Sequence, residues 1–234
     1  MDALMSTIES IAVLVGGLAV RAGLLLVVLA ALSVPVMLLV TGMRGVDAVR
    51  RRLLGVVRMG GFFWSDQVFY AKGHTWVRRA GRTGVQVGLD DLAQRLFATP
   101  TGVSLPDPGA VVQAGRPMGE LRTMGRRAAL VSPVSGTVTR VNRAAVEDPS
   151  LIHRDPYARG WLVAVRPSDD SYERLPRGEA ARTWLRNEGN RLSMFFEVQL
   201  GAVAADGGEF MAPPPTMLSD EQWAVLKRDF LDNE

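Results

Sequence analysis

Only two residues in this 234-residue chain carry a side-chain primary amine, Lys72 and Lys227; every other basic residue is an arginine. A lysine amine can be acylated. Arginine cannot replace it, because the guanidinium stays protonated and is a poor nucleophile. Histidine is equally scarce: His74 and His153 are too few for a His-based metal cluster. There is no cysteine, which excludes disulfides, thiolate metal sites and a cysteine nucleophile. His153 has no hydroxyl or second histidine at a useful spacing. The acidic pairs Glu147-Asp148 and Asp169-Asp170 are adjacent, so neither converges on one point in a strand or loop; they read as turn and cap residues. No nucleophile, base and oxyanion donor group together. The sequence therefore predicts a protein that is not an enzyme and holds neither metal nor cofactor.

The net charge of +3 suits an anionic lipid surface or an acidic partner. Basic residues are not interleaved with aromatics on one face, which argues against nucleic acid.

The N-terminal part is apolar. Ala22 to Val40 (AGLLLVVLAALSVPVMLLV) is uncharged, and about 20 such residues cross the hydrocarbon core as a helix. Pro35 lies within the run, where membrane helices tolerate a kink. Arg44, Arg50, Arg51, Arg52 and Arg58 follow it, whereas Asp2 and Glu9 precede it, with only Arg21 near its start. The positive-inside rule then predicts a single pass, with an anchor over 1–43 (span about 22–41) and the C-terminal side cytoplasmic at a bacterial inner membrane. A cleaved signal peptide fits less well, because no basic region precedes the run. Val46 to Val57 (VDAVRRRLLGVV) is amphipathic. Segment 44–66 is either an interfacial helix, with those five arginines on lipid headgroups, or simply a positive flank.

From Gly60 onward, short β-type runs alternate with Gly, Pro, Asp and Asn. The expected strands are Val68–Tyr70, Thr75–Arg79, Gly84–Leu89, Gly102–Leu105, Leu130–Val131, Gly136–Val141 and Trp161–Arg166. Asp90 caps a short helical turn ending at Leu96. Many short strands with regular turns predict a small all-β sandwich or barrel.

Six motifs within this region make it resemble the glycine cleavage H proteins. Tyr70-Ala-Lys-Gly-His-Thr-Trp76 is similar to the family's Y-x-x-x-H-x-W. Val87-Gly-Leu-Asp-Asp-Leu-Ala-Gln94 is similar to V-G-I-T-x-x-A-Q, and Leu105-Pro-Asp-Pro-Gly109 to L-P-x-x-G. Ser132-Pro-Val-Ser-Gly136 with Val141-Asn142, Pro149 to Tyr157, and Gly160-Trp161-Leu162 complete the series in family order. The resemblance implies a mainly β, lipoyl-type barrel-sandwich hybrid over 67–168. It also implies structural roles in a strand for His74 and Trp76.

The family's chemistry needs a lysine at a hairpin tip, usually within E-S-V-K-A, whose amine is acylated by lipoate. That lysine lies eight residues before the proline of S-P-V-S-G, which here is Pro133, so the attachment point maps to Gly125 within Leu121-Arg-Thr-Met-Gly-Arg-Arg127. Glycine suits a tight turn. The tip then carries Arg122, Gly125, Arg126 and Arg127, read either as a basic docking surface or as a solvated loop.

Residues 169–234 form a helical extension. Gly178 to Val198 reads as a helix with Gly189 as a break, 202–217 as a Pro/Gly linker, and Ser219-Asp-Glu-Gln222 as a capping box opening a final helix to Leu231. That helix either docks on its own domain or projects to a partner; the linker before it favours a partner. Together these features predict a non-catalytic, membrane-anchored scaffold of the H-protein type. Its expected partners are the lipid bilayer and the subunits of a membrane complex, such as a redox or respiratory one. The alternative is an atypical lipoyl or acyl carrier.

Overall fold

The structure is a computed structural model that describes residues 54–59, 61–97, 99–200 and 215–232, together with isolated positions between 17 and 52. The chain divides into two compact units, Met1–Val49 and Arg50–Glu234. In the first unit the described positions, Leu24, Leu25, Leu29, Leu32 and Met37 among them, are helical and exposed. Most of the expected span lies outside the described residues. Among the described residues, no helix is long and apolar enough to cross a membrane.

The second unit is mainly β, with helices at its C-terminal end. It opens with a hairpin, β1 (Val56–Met59) and β2 (Phe62–Ser65), paired antiparallel from Val56↔Ser65 to Met59↔Phe62. Here the expectation of an amphipathic helix over Val46 to Val57 needs correction. Val49 and Arg52 are helical, but Val56 and Val57 belong to β1. The hairpin forms because Phe62 and Trp64 both bury in the core. On the outer strand, Arg58 is exposed. Of the proposed lipid-contact arginines, Arg44, Arg50 and Arg51 lie outside the described residues.

Six short strands make the main sheet, in the order β3-β4-β5-β11-β10-β7. They are β3 (Phe69–Tyr70), β4 (Thr75–Ala80), β5 (Gly84–Leu89), β7 (Val111–Val112), β10 (Gly136–Val141) and β11 (Trp161–Pro167). A second sheet holds β6 (Gly102–Ser104), β8 (Pro117–Thr123) and β9 (Arg126–Val131), ordered β6-β8-β9. All the pairings are antiparallel. The two sheets face a core that includes Val77, Val87, Leu121, Leu130, Leu162 and Val165, each at most 1 % exposed. Trp76 anchors it: its ring is fully buried and Nε1 donates to Leu89 O at 2.8 Å. A Cβ on Gly88 would fall 2.4 Å from that ring, so only glycine leaves room for the tryptophan.

Helix α1 (Asp91–Leu96) follows β5, and α2 (Arg143–Glu147) and α3 (Ser150–Arg154) follow β10. Asp90 caps α1 as expected, accepting from Ala93 N at 2.8 Å. The acidic pairs serve turns: Asp148 accepts from Ser150 and Arg154, and Asp169 from Ser171 N at 2.8 Å.

Helix α4 (Glu179–Leu200) runs through Gly189 without a break, correcting the expectation there. The glycine marks close packing instead. A Cβ at Gly189 would lie 3.4 Å from Phe62 of β2, so α4 and the N-terminal hairpin meet at this point. The last helix, α5 (Asp220–Leu226), continues as a π-helical turn through Lys227–Leu231. Its capping box forms as the sequence implies: Gln222 N donates to Ser219 Oγ and Ser219 N to Gln222 Oε1. Trp223, Leu226, Phe230 and Leu231 are all buried in the common core. The helix therefore docks on its own domain, and the expectation of a projecting partner helix is corrected.

Candidate functional site

Strands β8 and β9 form the hairpin to which the sequence assigned the attachment point. The pairing Thr123↔Arg126 closes it through the two residues Met124 and Gly125. Both have positive φ, 43° and 79°, the type I′ geometry that matches the twist of a two-residue hairpin. Gly125 is thus the second residue of an exposed tip. A Cβ there would meet nothing within 4 Å, so backbone conformation rather than space favours glycine.

Strand alternation sorts the three arginines of the tip. Leu121 and Thr123 point inward and pair with Ala128 and Arg126, so Arg126 shares the inner face. Arg122 and Arg127 pair across the outer face, with side chains 48 % and 69 % exposed. Glu120 on the same face lies 3.8 Å from Arg122 and 3.9 Å from Arg127. Arg126 is instead covered by the chain's own C-terminal helix. Its guanidinium pairs with Asp220, donates to Leu218 O at 2.5 Å and sits 5.8 Å from the centre of the Trp223 ring. Trp223 in turn meets Phe97 edge-on at 5.9 Å. Arg122 and Arg127 therefore remain as the outward-facing cations of the expected docking tip, and Arg126 is a structural anchor.

Both lysines lie on other elements. Lys72 is exposed in the turn between β3 and β4, and Lys227 is half-buried in the final helix.

A second constellation lies beside Lys72. His74 is 1 % exposed and adopts φ 58°. Its Nδ1 sits 2.8 Å from Asp90 Oδ2, its Nε2 lies 3.9 Å from Glu188 Oε2, and its ring stacks against Trp184 at 5.2 Å. Burial alone would lower the pKa of this imidazole. The Asp90 carboxylate, its hydrogen bond and then Glu188 outweigh burial, and the pKa stands above the ordinary histidine value. In the sequence Asp90 stands out only as a helix cap, and Glu188 does not stand out at all. Residues 74, 90 and 188 share no local spacing, and the fold alone brings them together. His153 sits apart, exposed on α3. Among the described residues, no group of three or more His, Cys, Asp or Glu residues could hold a metal ion.

The two-sheet fold with a tight hairpin between β8 and β9 defines a lipoyl-type domain. The profile of the glycine cleavage H-protein matches residues 68–188, and the chain belongs to that family. The glycine cleavage system H protein of Mycobacterium avium is 43% identical over 100 residues, covering 43% of this chain and 76% of that protein. The Bifidobacterium longum H protein is 38% identical over 117 residues, covering 50% and 85%. The crystal structure of an H protein from Mycobacterium marinum aligns at 31% identity with a TM-score of 0.46, covering 54% of this chain and 99% of that one.

Proposed function

We propose that the chain is a membrane-anchored, non-catalytic member of the H-protein family that carries no lipoyl group and serves as a docking subunit of a membrane complex. One observation carries this reading. The hairpin tip has glycine at the position where the family has its acyl-lysine, and no lysine occurs from residue 73 to 226. Without an amine at the tip, the amide that would tether lipoate there cannot form. The tip offers Met124, Arg122 and Arg127 to the outside instead, a basic surface suited to an acidic partner.

The anchor rests on the uncharged run Ala22–Val40 and the arginines that follow it. In this reading the domain faces the cytoplasm, at a bacterial inner membrane. Washing membranes with alkaline carbonate tests the anchor: the chain is expected to stay with the bilayer, and release into the supernatant would overturn it. Purification in mild detergent tests the docking role. A complex of fixed stoichiometry is expected, and recovery solely as a monomer would count against it.

Family membership supports one alternative, an atypical carrier. Lys72 is its candidate amine, since it is exposed and lies in the turn leading to His74.

A further inference from the structure

A cavity of about 230 Å³ opens between the turn Lys72–His74, helix α4 and the end of the chain, lined in part by Trp184, Glu188, Arg191 and Arg228. Both helical walls come from the C-terminal extension. His74 forms its base. Asp90 accepts from Ala93 N through one oxygen and holds His74 Nδ1 at 2.8 Å with the other, so Nδ1–H is the donor in that bond and Nε2 is left facing the cavity. Nε2 has no hydrogen-bond partner among the described residues. Its nearest carboxylate oxygen, on Glu188, is 3.9 Å away and beyond hydrogen-bonding reach.

The carboxylates around the cavity are mostly engaged. Both oxygens of Glu188 accept from Arg191 Nη1 at 2.8 Å, and Asp229 accepts from Arg228 Nε at 2.9 Å. Asp232 and Lys72, both at the lining, form no ion pair among the described residues. With Asp90 behind the imidazole, the charges nearly cancel. The lining also holds N–H donors: the Lys72 ammonium, the remaining guanidinium N–H groups of Arg191 and Arg228, and, in the protonated form that the flanking Asp90 and Glu188 carboxylates favour, His74 Nε2–H. Several donors lining one partly enclosed cavity suit an acceptor ligand with more than one oxygen.

We propose that this cavity is a binding site for a small oxyanion, a carboxylate or phosphate group on a compact molecule, held by the Lys72 ammonium and by Nε2–H of protonated His74. The site is independent of the docking reading, because none of its groups belongs to the hairpin tip.

Because the chain has only two histidines, imidazole ¹⁵N NMR on the full-length protein in detergent reads the site directly. His153 serves as the internal control. Inorganic phosphate and acetate are titrated separately against chloride at constant ionic strength. The expected result is a saturable shift of His74 Nε2 with at least one probe, and none at His153; the responding probe tells phosphate from carboxylate. Lys72→Gln, at an exposed position, is expected to keep the fold and weaken binding about tenfold or more, as befits a charged hydrogen bond. No saturable shift with either probe would overturn the proposal, and so would equal binding by the Lys72→Gln variant.

Discussion

Arg126 of the β8–β9 hairpin lies over the Trp223 ring, 5.8 Å from its centre, and so ties the final helix to the strand beside the tip. With 16 % of its side chain exposed, Arg126 is the best-shielded of the three tip arginines. Its partner Asp220 is 92 % exposed, so the ion pair adds little. The bond to Leu218 O and the contact with Trp223 carry most of the effect. Arg126→Ala is expected to cost about 1–2 kcal/mol and to raise amide exchange over residues 220–231. Arg127→Ala, on the outer face, is expected to stay within about 0.5 kcal/mol. Equal effects of the two substitutions would contradict this division of faces.

The buried His74–Asp90 pair makes stability depend on pH. The folded-state pKa of His74 is raised, so its contribution is fully present below the unfolded value of about 6.5 and fades as pH rises through the folded value. Denaturant titrations from pH 5.5 to 9 should show stability falling over that window. In His74→Gln the fall should flatten. A wild-type curve that rises across the window would refute the assignment.

Gly189 separates two effects of size. Its place in mid-helix and a Cβ contact of 3.4 Å with Phe62 leave room for one methyl group. Gly189→Ala is expected to be neutral or stabilising by up to about 1 kcal/mol through helix propensity. Gly189→Leu should push Phe62 aside and cost about 2 kcal/mol or more. Thermal melts of both variants decide it; a tolerated leucine would mean that the N-terminal hairpin does not bear on α4.

Gly125→Lys tests the tip itself. The side chain has open space, but φ of 79° belongs to the left-handed region, so the expected cost is about 1–2 kcal/mol with the fold retained. Loss of folding in this variant would mean that the tip is packed rather than exposed.

Much of this architecture is legible in the residues. The Y-x-x-x-H-x-W and S-P-V-S-G motifs locate β4 and β10 along the chain, because Trp76 and Gly136 each answer a specific steric demand there. Asp90 as a cap and the Ser219–Gln222 box are visible for the same reason: capping depends on side chains a few residues apart. Strand β8 is hidden by the register shift between Pro117 and Gly119, which breaks the alternation that marks a strand. Helical apolar spacing over Val46–Val57 masks β1, whose pairing depends on burial of Phe62 and Trp64 by distant elements. The docking of the last helix and the His74–Asp90–Glu188 cluster depend on contacts between residues far apart in the chain, such as His74 with Glu188 and Phe97 with Trp223, for which one sequence holds no periodic signal.

Intact-mass spectrometry of the full chain reads out whether this H-protein relative bears a lipoyl group. The protein would be purified from a lipoate-competent host alongside a lysine-bearing H protein as positive control. The control is expected to be shifted by one lipoyl group and this chain to appear at its unmodified mass. A lipoyl-sized increment on this chain, mapped by peptide sequencing to Lys72 or Lys227, would contradict it and restore the carrier reading.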